Sequence, residues 1–282
     1  MSRAPSIRRQ ALVARIATYA VLLVVVFLIL FPIYWMIITS LKLPREIYRV
    51  PALWPKVFTL QHYYTLIDEK GFLLNIRNSL IVAVAVTAIA LVISALAAYS
   101  MVRFRYRFRG LIGRLILLAY LTPTSLLFIP LSILMARLQL GNSLHGLILV
   151  YLTFALPLAT WLLQGYFRGV PPELEEAGMV DGLSRLGALF RIILPLSLPG
   201  LAAVGIFTFT GAWNELLLAL VLTTSENVRT APLGLLYLIA GDTLPWGPLT
   251  AGAVLSSVPL MILFFVAQRF MVQGMTAGSV KG

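Results

Sequence analysis

Apolar residues in this chain gather in long runs. Such runs cover about residues 16–38, 74–98, 111–137, 145–166, 196–222 and 249–270. About twenty consecutive apolar residues are enough to cross a bilayer as a helix. A helix satisfies every backbone polar group within its own segment, which hydrocarbon demands. The pattern therefore predicts an all-α polytopic membrane protein with six transmembrane helices. The first run resembles a secretory leader at its start but is too long for one, and no A-x-A site ends it. Prolines at 123, 130, 157 and 259 fall inside predicted spans. Pro123 and Pro130 predict a kink or break in the third span, because each frees a carbonyl that neighbours or water must satisfy.

Small residues add a second periodicity. Ala90, Ser94 and Ala98 repeat every four residues in the second run, as do Ala83 and Thr87. That spacing lets membrane helices approach closely. Packing explains it without further chemistry.

The polar stretches set the topology. Residues 41–71 are punctuated by Pro44, Pro51 and Pro55 and carry Trp54, Tyr63 and Tyr64, which suits an interfacial outer loop. Arg103, Arg105, Arg107 and Arg109 alternate with aromatics; between two spans they read as a cytoplasmic anchor rather than an RNA-binding patch. A six-span reading puts 14 of the 22 Lys and Arg inside with both termini, and eight outside. Residues 223–248 then form an outer loop. The +12 net charge needs no nucleic acid partner. Mean hydropathy is +0.94 and charged residues are 11%, against about 25% in soluble domains. The lack of cysteine excludes disulfides and thiolate metal sites.

Residues 171–199 interrupt the apolar pattern. Glu173, Glu175, Glu176 and Asp181 lie within nine residues, behind Pro171 and Pro172. Proline is tolerated at a first helical position, acids are favoured in the first turns, and Gly182 is a natural C-terminal stop. A short helix from Pro172 follows. Leu174, Ala177 and Gly178 share a face at helical spacing, and two of them are small. An ordinary interfacial helix and a docking helix both fit these features.

Glu176, Ala177, Gly182, Ile192, Leu194 and Pro195 match the spacing of the EAA loop of ABC-importer permeases: Glu-Ala-Ala, three residues, Gly, nine residues, Ile-x-Leu-Pro. Gly178 departs from that pattern, standing where the second Ala belongs. This lowers helix propensity by roughly 0.8–1.0 kcal/mol. Trp213, Asn214 and Glu215, and the ending Gly274, Thr276, Ala277, Gly278, Val280, Lys281 and Gly282, resemble the maltose-type carbohydrate permeases.

This resemblance implies a type I importer-like permease forming one transmembrane domain over residues 1–282. Its cytoplasmic coupling loop would cover about residues 167–195, and its cytoplasmic tail about 272–282. Glu175, Glu176, Ala177, Gly178, Asp181 and Gly182 would couple to a cytoplasmic ATPase dimer. Gly274, Thr276, Ala277, Gly278 and Lys281 would contact the same ATPase. A second permease subunit and an extracytoplasmic sugar-binding protein would complete the assembly in the inner membrane. No cofactor is expected on this chain, with ATP and magnesium held by the ATPase.

The chain lacks G-x-x-x-x-G-K-[ST] and shows no nucleophile–base constellation, so a transport subunit is expected rather than an enzyme. His62 and His145 stand alone as ordinary interfacial residues. Trp213, Asn214 and Glu215 are candidate translocation-path residues. Glu215, the one acid within a predicted span, reads equally as a pathway group or as a structural partner of another helix. A secondary transporter driven by an ion gradient is the alternative. It would need more intramembrane ionisable residues and often shows repeats.

Overall fold

The computed structural model describes residues 4–49, 52–239 and 244–277. Its elements in chain order are α1 (Ala4–Ser40), α2 (Pro44–Arg49), α3 (Gln61–Tyr64), α4 (Phe72–Arg103), α5 (Arg109–Leu121), α6 (Thr124–Arg137) and α7 (Leu144–Arg168). There follow α8 (Pro172–Val180), α9 (Arg185–Ala188), α10 (Leu194–Leu196), α11 (Leu198–Asn214), α12 (Leu217–Leu222), α13 (Ala231–Leu238) and α14 (Trp246–Ala277). Single π turns cover Thr65–Glu69 and Leu189–Ile193. The described residues hold no strand.

Four helices are long and apolar enough to cross a membrane alone: Leu12–Ser40, Phe72–Arg103, Leu144–Arg168 and Trp246–Phe270. Two bent pairs bring the number to six if each is one span. Arg109–Leu121 and Thr124–Arg137 meet at 95°, and Arg185–Leu196 and Leu198–Asn214 meet at 80°. The first bend falls at Thr122 and Pro123, where a helix is expected to end before the proline. Pro130, Pro157 and Pro259 stay inside continuous helices.

The chain divides into two compact units. The first comprises residues 1–70 and 241–255. Here residues 16–30 of α1 are apolar all round and exposed, the surface of a helix meant for lipid or another chain. The stretch after α1 is more than an interfacial loop. Lys42 is buried, with its Nζ donating to the Ala52 carbonyl at 2.5 Å and lying 4.4 Å over the Trp35 ring. Burial lowers its pKa from the ordinary lysine value, and Glu46 partly opposes that shift. His62 is buried too and donates from Nε2 to the Lys42 carbonyl at 2.9 Å, which corrects its reading as an interfacial residue.

The second unit comprises residues 71–240 and 256–282. Its centre is the long packing of α4 on α7, with α11 against both. Ala83, Ala90, Ser94 and Ala98 are completely buried, so the four-residue small pattern marks the α4 contact face. Ser94 Oγ donates to the Leu156 carbonyl at 3.2 Å, tying the two helices beside Pro157.

One apolar cluster joins Val82, Val86 and Ala90 to Leu147, Val150, Tyr151 and Leu218. Another joins Ala98 and Tyr99 to Leu163, Phe167, Leu189 and Ile193.

Three expectations change. The fifth span does not run unbroken to residue 222, because α11 ends at Asn214 and the helix restarts at Leu217. The stretch over 223–248, expected as an outer loop, contains α13, whose Ala231 and Leu233 are fully buried. It is held by Asn78 Nδ2, which donates to the carbonyls of Asn227 and Arg229, and by Ser79 Oγ, which accepts from Ala231 N–H. Finally, α14 does not stop near residue 270. Its backbone stays helical through Ala277, because intrahelical bonds need no apolar environment to continue past a bilayer edge.

Candidate coupling helix and translocation cavity

The short acidic helix is built by its own sequence. Pro172 opens α8, and Glu173 and Glu175 sit in its first turn. The end is a Schellman turn. Leu183 N–H reaches the Gly178 carbonyl at 2.9 Å, and Gly182 N–H reaches the Met179 carbonyl at 3.1 Å. Gly182 has φ +93°, a conformation that a side chain would strain. Ser184 then caps α9 by accepting from Gly187 N–H at 3.1 Å.

The helix has two faces. Glu173, Leu174, Glu176, Ala177 and Val180 are exposed, as are Asp181 and Gly182 beyond its end. Glu175 and Gly178 are buried. The shared face expected for Leu174, Ala177 and Gly178 is therefore split: Gly178 turns inward, and a Cβ there would meet Ile192 Cδ1 at 2.4 Å. Glycine at 178 leaves that space to isoleucine. Leu186 and Phe190, 58% and 60% exposed, continue an apolar surface beyond α8.

Glu175 is committed to the interior. Its Oε2 lies 2.7 Å from Arg103 Nε, with both side chains largely buried. The N–H does not align for a hydrogen bond, so the contact is chiefly ionic. Tyr99 donates its hydroxyl to Oε1 of the same carboxylate. Arg103 also donates to the Val170 carbonyl at 2.7 Å. Of the arginines expected as a cytoplasmic anchor, Arg103 is thus engaged within the fold, whereas Arg105 and Arg107 remain exposed.

A second site sits where two helices break. A cavity of about 180 Å³ is lined by Tyr120 and Thr124, on either side of the α5–α6 bend, and by Tyr151, Phe154, Phe207, Thr208 and Glu215. Its walls are mainly apolar and aromatic, with a few polar groups converging on the space. Glu215 Oε1 accepts from Leu218 N–H at 2.9 Å, capping the restart of the helix.

Of the three candidate path residues, Glu215 reaches this cavity. Trp213 is buried and stacks on Phe209, with ring centroids 5.7 Å apart, while Asn214 is exposed. Tyr120, Tyr151 and Phe154 carried no sequence signal, since aromatics inside apolar runs are ordinary.

Gly274, Thr276 and Ala277 fall within the backbone of α14, whereas Gly278 and Lys281 lie outside the described residues. No group of three or more His, Cys, Asp or Glu able to hold a metal ion occurs among the described residues.

Residues 90–277 match the model of the binding-protein-dependent transport system inner membrane component. The chain belongs to this family. The permease is 39% identical over 254 residues to the sulfoquinovosyl glycerol transport system permease protein of Agrobacterium fabrum, covering 90% of this chain and 89% of that one. It is 34% identical over 277 residues to the trehalose/maltose transport system permease protein of Thermococcus litoralis, covering 97% and 99%. Its fold is shared with a chain of a bacterial ABC transporter involved in the import of the acidic polysaccharide alginate, at TM-score 0.79 and 22% identity over 93% and 97% of the two chains. It is accordingly a multi-pass, non-catalytic permease subunit of a binding-protein-dependent importer.

Proposed function

We propose that this permease carries a small glycoside, and that its α8 docks on a separate cytoplasmic ATPase. The division of α8 into an inward and an outward face carries the docking reading. Glu176, Ala177, Val180, Asp181 and Gly182 are free to meet a partner, with Leu186 and Phe190 extending the surface. The names of the relatives support the glycoside class. The cavity at the helix breaks supports a path beside Tyr151 and Glu215.

A second, similar permease would cover the exposed apolar helices. Both termini would be cytoplasmic, as the distribution of Lys and Arg supports. ATP and magnesium would act in the ATPase, whose closure would shift the permease pair between inward- and outward-facing states. The C-terminal residues, Gly274 to Lys281, would touch the same ATPase.

Reconstitution tests this reading. The permease, its partner permease, the ATPase and the binding protein are placed in proteoliposomes with labelled trehalose or maltose as probe. Uptake should require both ATP and the binding protein. Uptake by this chain alone under a proton or sodium gradient would replace the proposal with a secondary transporter. Orientation has its own check: in right-side-out cells, an impermeant thiol reagent should label Lys56→Cys and spare Tyr106→Cys.

A further inference from the structure

The geometry points to Glu175, Arg103 and Tyr99 as an internal latch that makes α8 move as one body with α4. In this role Glu175 is a positioning residue and does not contact the ATPase. The inference rests on the reading of α8 as the ATPase-docking helix.

Consecutive residues on a helix point about 100° apart, because a turn takes 3.6 residues. Glu175 and Glu176 therefore point in different directions. The structure sends Glu176 out and Glu175 in. The buried carboxylate then gathers three separate segments. Arg103, the last residue of α4, faces Oε2 at 2.7 Å, and Tyr99, one turn earlier, donates to Oε1. Arg103 also holds the Val170 carbonyl at 2.7 Å, in the turn that leads into α8. Tyr99 lies 3.0 Å from the Arg185 carbonyl at the start of α9. The Arg185 guanidinium sits 5.1 Å from the centre of the Phe104 ring, just past α4. The end of α4, the entry to α8 and the exit from α8 thus meet at one carboxylate.

This arrangement suits transmission more than bulk stability. A nine-residue helix is too short to hold its shape alone and takes its position from what it touches. Buried ion pairs are often no more stabilising than apolar residues of similar size. They do resist displacement, since separating the charges would leave each unpaired in a low-dielectric site. Burial also shields the pair from salt. Among the described residues, the other ion pair joins Arg229 to an exposed Glu226 three positions away and links no distant elements.

The chain has no cysteine, so paired spin labels can be placed cleanly. Labels go at Glu173→Cys on α8, outside the proposed docking residues, and Val92→Cys on α4, both exposed. The complete complex is measured by electron–electron resonance without nucleotide and after trapping with ATP and vanadate. With Glu175 intact, the distance should be the same in both states. With Glu175→Gln or Arg103→Gln, it should match the intact protein without nucleotide. On trapping it should depart by more than about 2 Å, the scale of ordinary helix shifts at interfaces. Tyr99→Phe removes one hydrogen bond while keeping the ring and should give a smaller departure in the same state. The double variant Arg103→Met with Glu175→Met repacks the site without charge and should also depart on trapping.

A distance that never depends on nucleotide in the single variants would overturn the latch. So would an equal change in both states, which signals a merely structural role. Loss of the ATPase from the Glu175→Gln complex would also overturn it by making Glu175 a docking contact. Failure of the docking reading looks different: the ATPase would stay bound in Glu176→Lys.

Discussion

The packing of α4 on α7 and the α11–α12 break treat a membrane helix in opposite ways. Along the first, small residues bring two unbroken helices together, and Ala90, Ser94 and Ala98 have no exposed surface. At the second, the helix stops at Asn214 and restarts at Leu217, leaving a cavity of about 180 Å³ beside Glu215. Each region also uses a glutamate. Glu175, at the cytoplasmic end proposed for the packed pair, is spent on a cation from another helix. Glu215 caps its own next turn and lines the cavity. A close-packed seam transmits displacement because it has no room to absorb it. A broken helix with a cavity can yield locally and admit a ligand.

Overfilling the seam should have the largest effect. Ala98→Leu puts three extra carbons into a site with no exposed surface, and overpacking of this kind costs about 1–3 kcal/mol. Thermal unfolding of the purified complex should drop accordingly, and an unchanged midpoint would show that the seam is loose.

The outward face comes next. Glu176→Lys should weaken ATPase co-purification by about tenfold, equivalent to about 1.4 kcal/mol, with membrane insertion intact. Unchanged retention would remove α8 from the docking surface.

The break is tested by two variants of Glu215. Glu215→Leu deletes the cap on Leu218 N–H and should lower stability by about 1 kcal/mol, the usual scale for a lost helix cap. Glu215→Gln keeps a capping oxygen, so stability should hold while uptake falls if the charge faces substrate. Equal uptake with Gln, together with poor assembly of the Leu variant, would leave Glu215 a purely structural residue.

The smallest effect is expected at Gly178→Ala. Helix propensity gains roughly 0.8–1.0 kcal/mol, offset by displacement of Ile192 Cδ1. Chemical denaturation should find the net change within about 0.5 kcal/mol, in the range of a substitution without a dominant mechanism.

Much of the architecture is legible in the sequence. The long apolar helices follow from the bilayer's thickness and its lack of hydrogen-bond partners. The bounds of α8 were legible because they depend on local chemistry: Pro172 at the first position, and Gly182 at +93° in the closing turn. The break at Pro123 was legible for the same reason. The small residues of α4 marked a packing face but did not name α7 as its partner.

Other features depend on residues far apart in sequence. The helix α13 inside a supposed loop is held by Asn78 and Ser79, about 150 positions earlier, and hydropathy cannot register such bonds. The break at Glu215 sits in an apolar run with no proline or glycine at that point, so its signal is a side chain that caps only once the helix has opened. His62 read as interfacial from its type, and Lys42 stood in the stretch expected as an outer loop, yet the fold buries both.

By itself the sequence determined what each segment must do with its own backbone: cross hydrocarbon, begin at a proline, end at a glycine. Those requirements act within a few residues, so they are written where they apply. Which of two adjacent glutamates turns inward was decided only by the tertiary structure. That choice depends on where Arg103 and Tyr99 arrive, more than seventy residues away in the chain, and a buried carboxylate is tolerated only where a cation and a donor have already been brought to it.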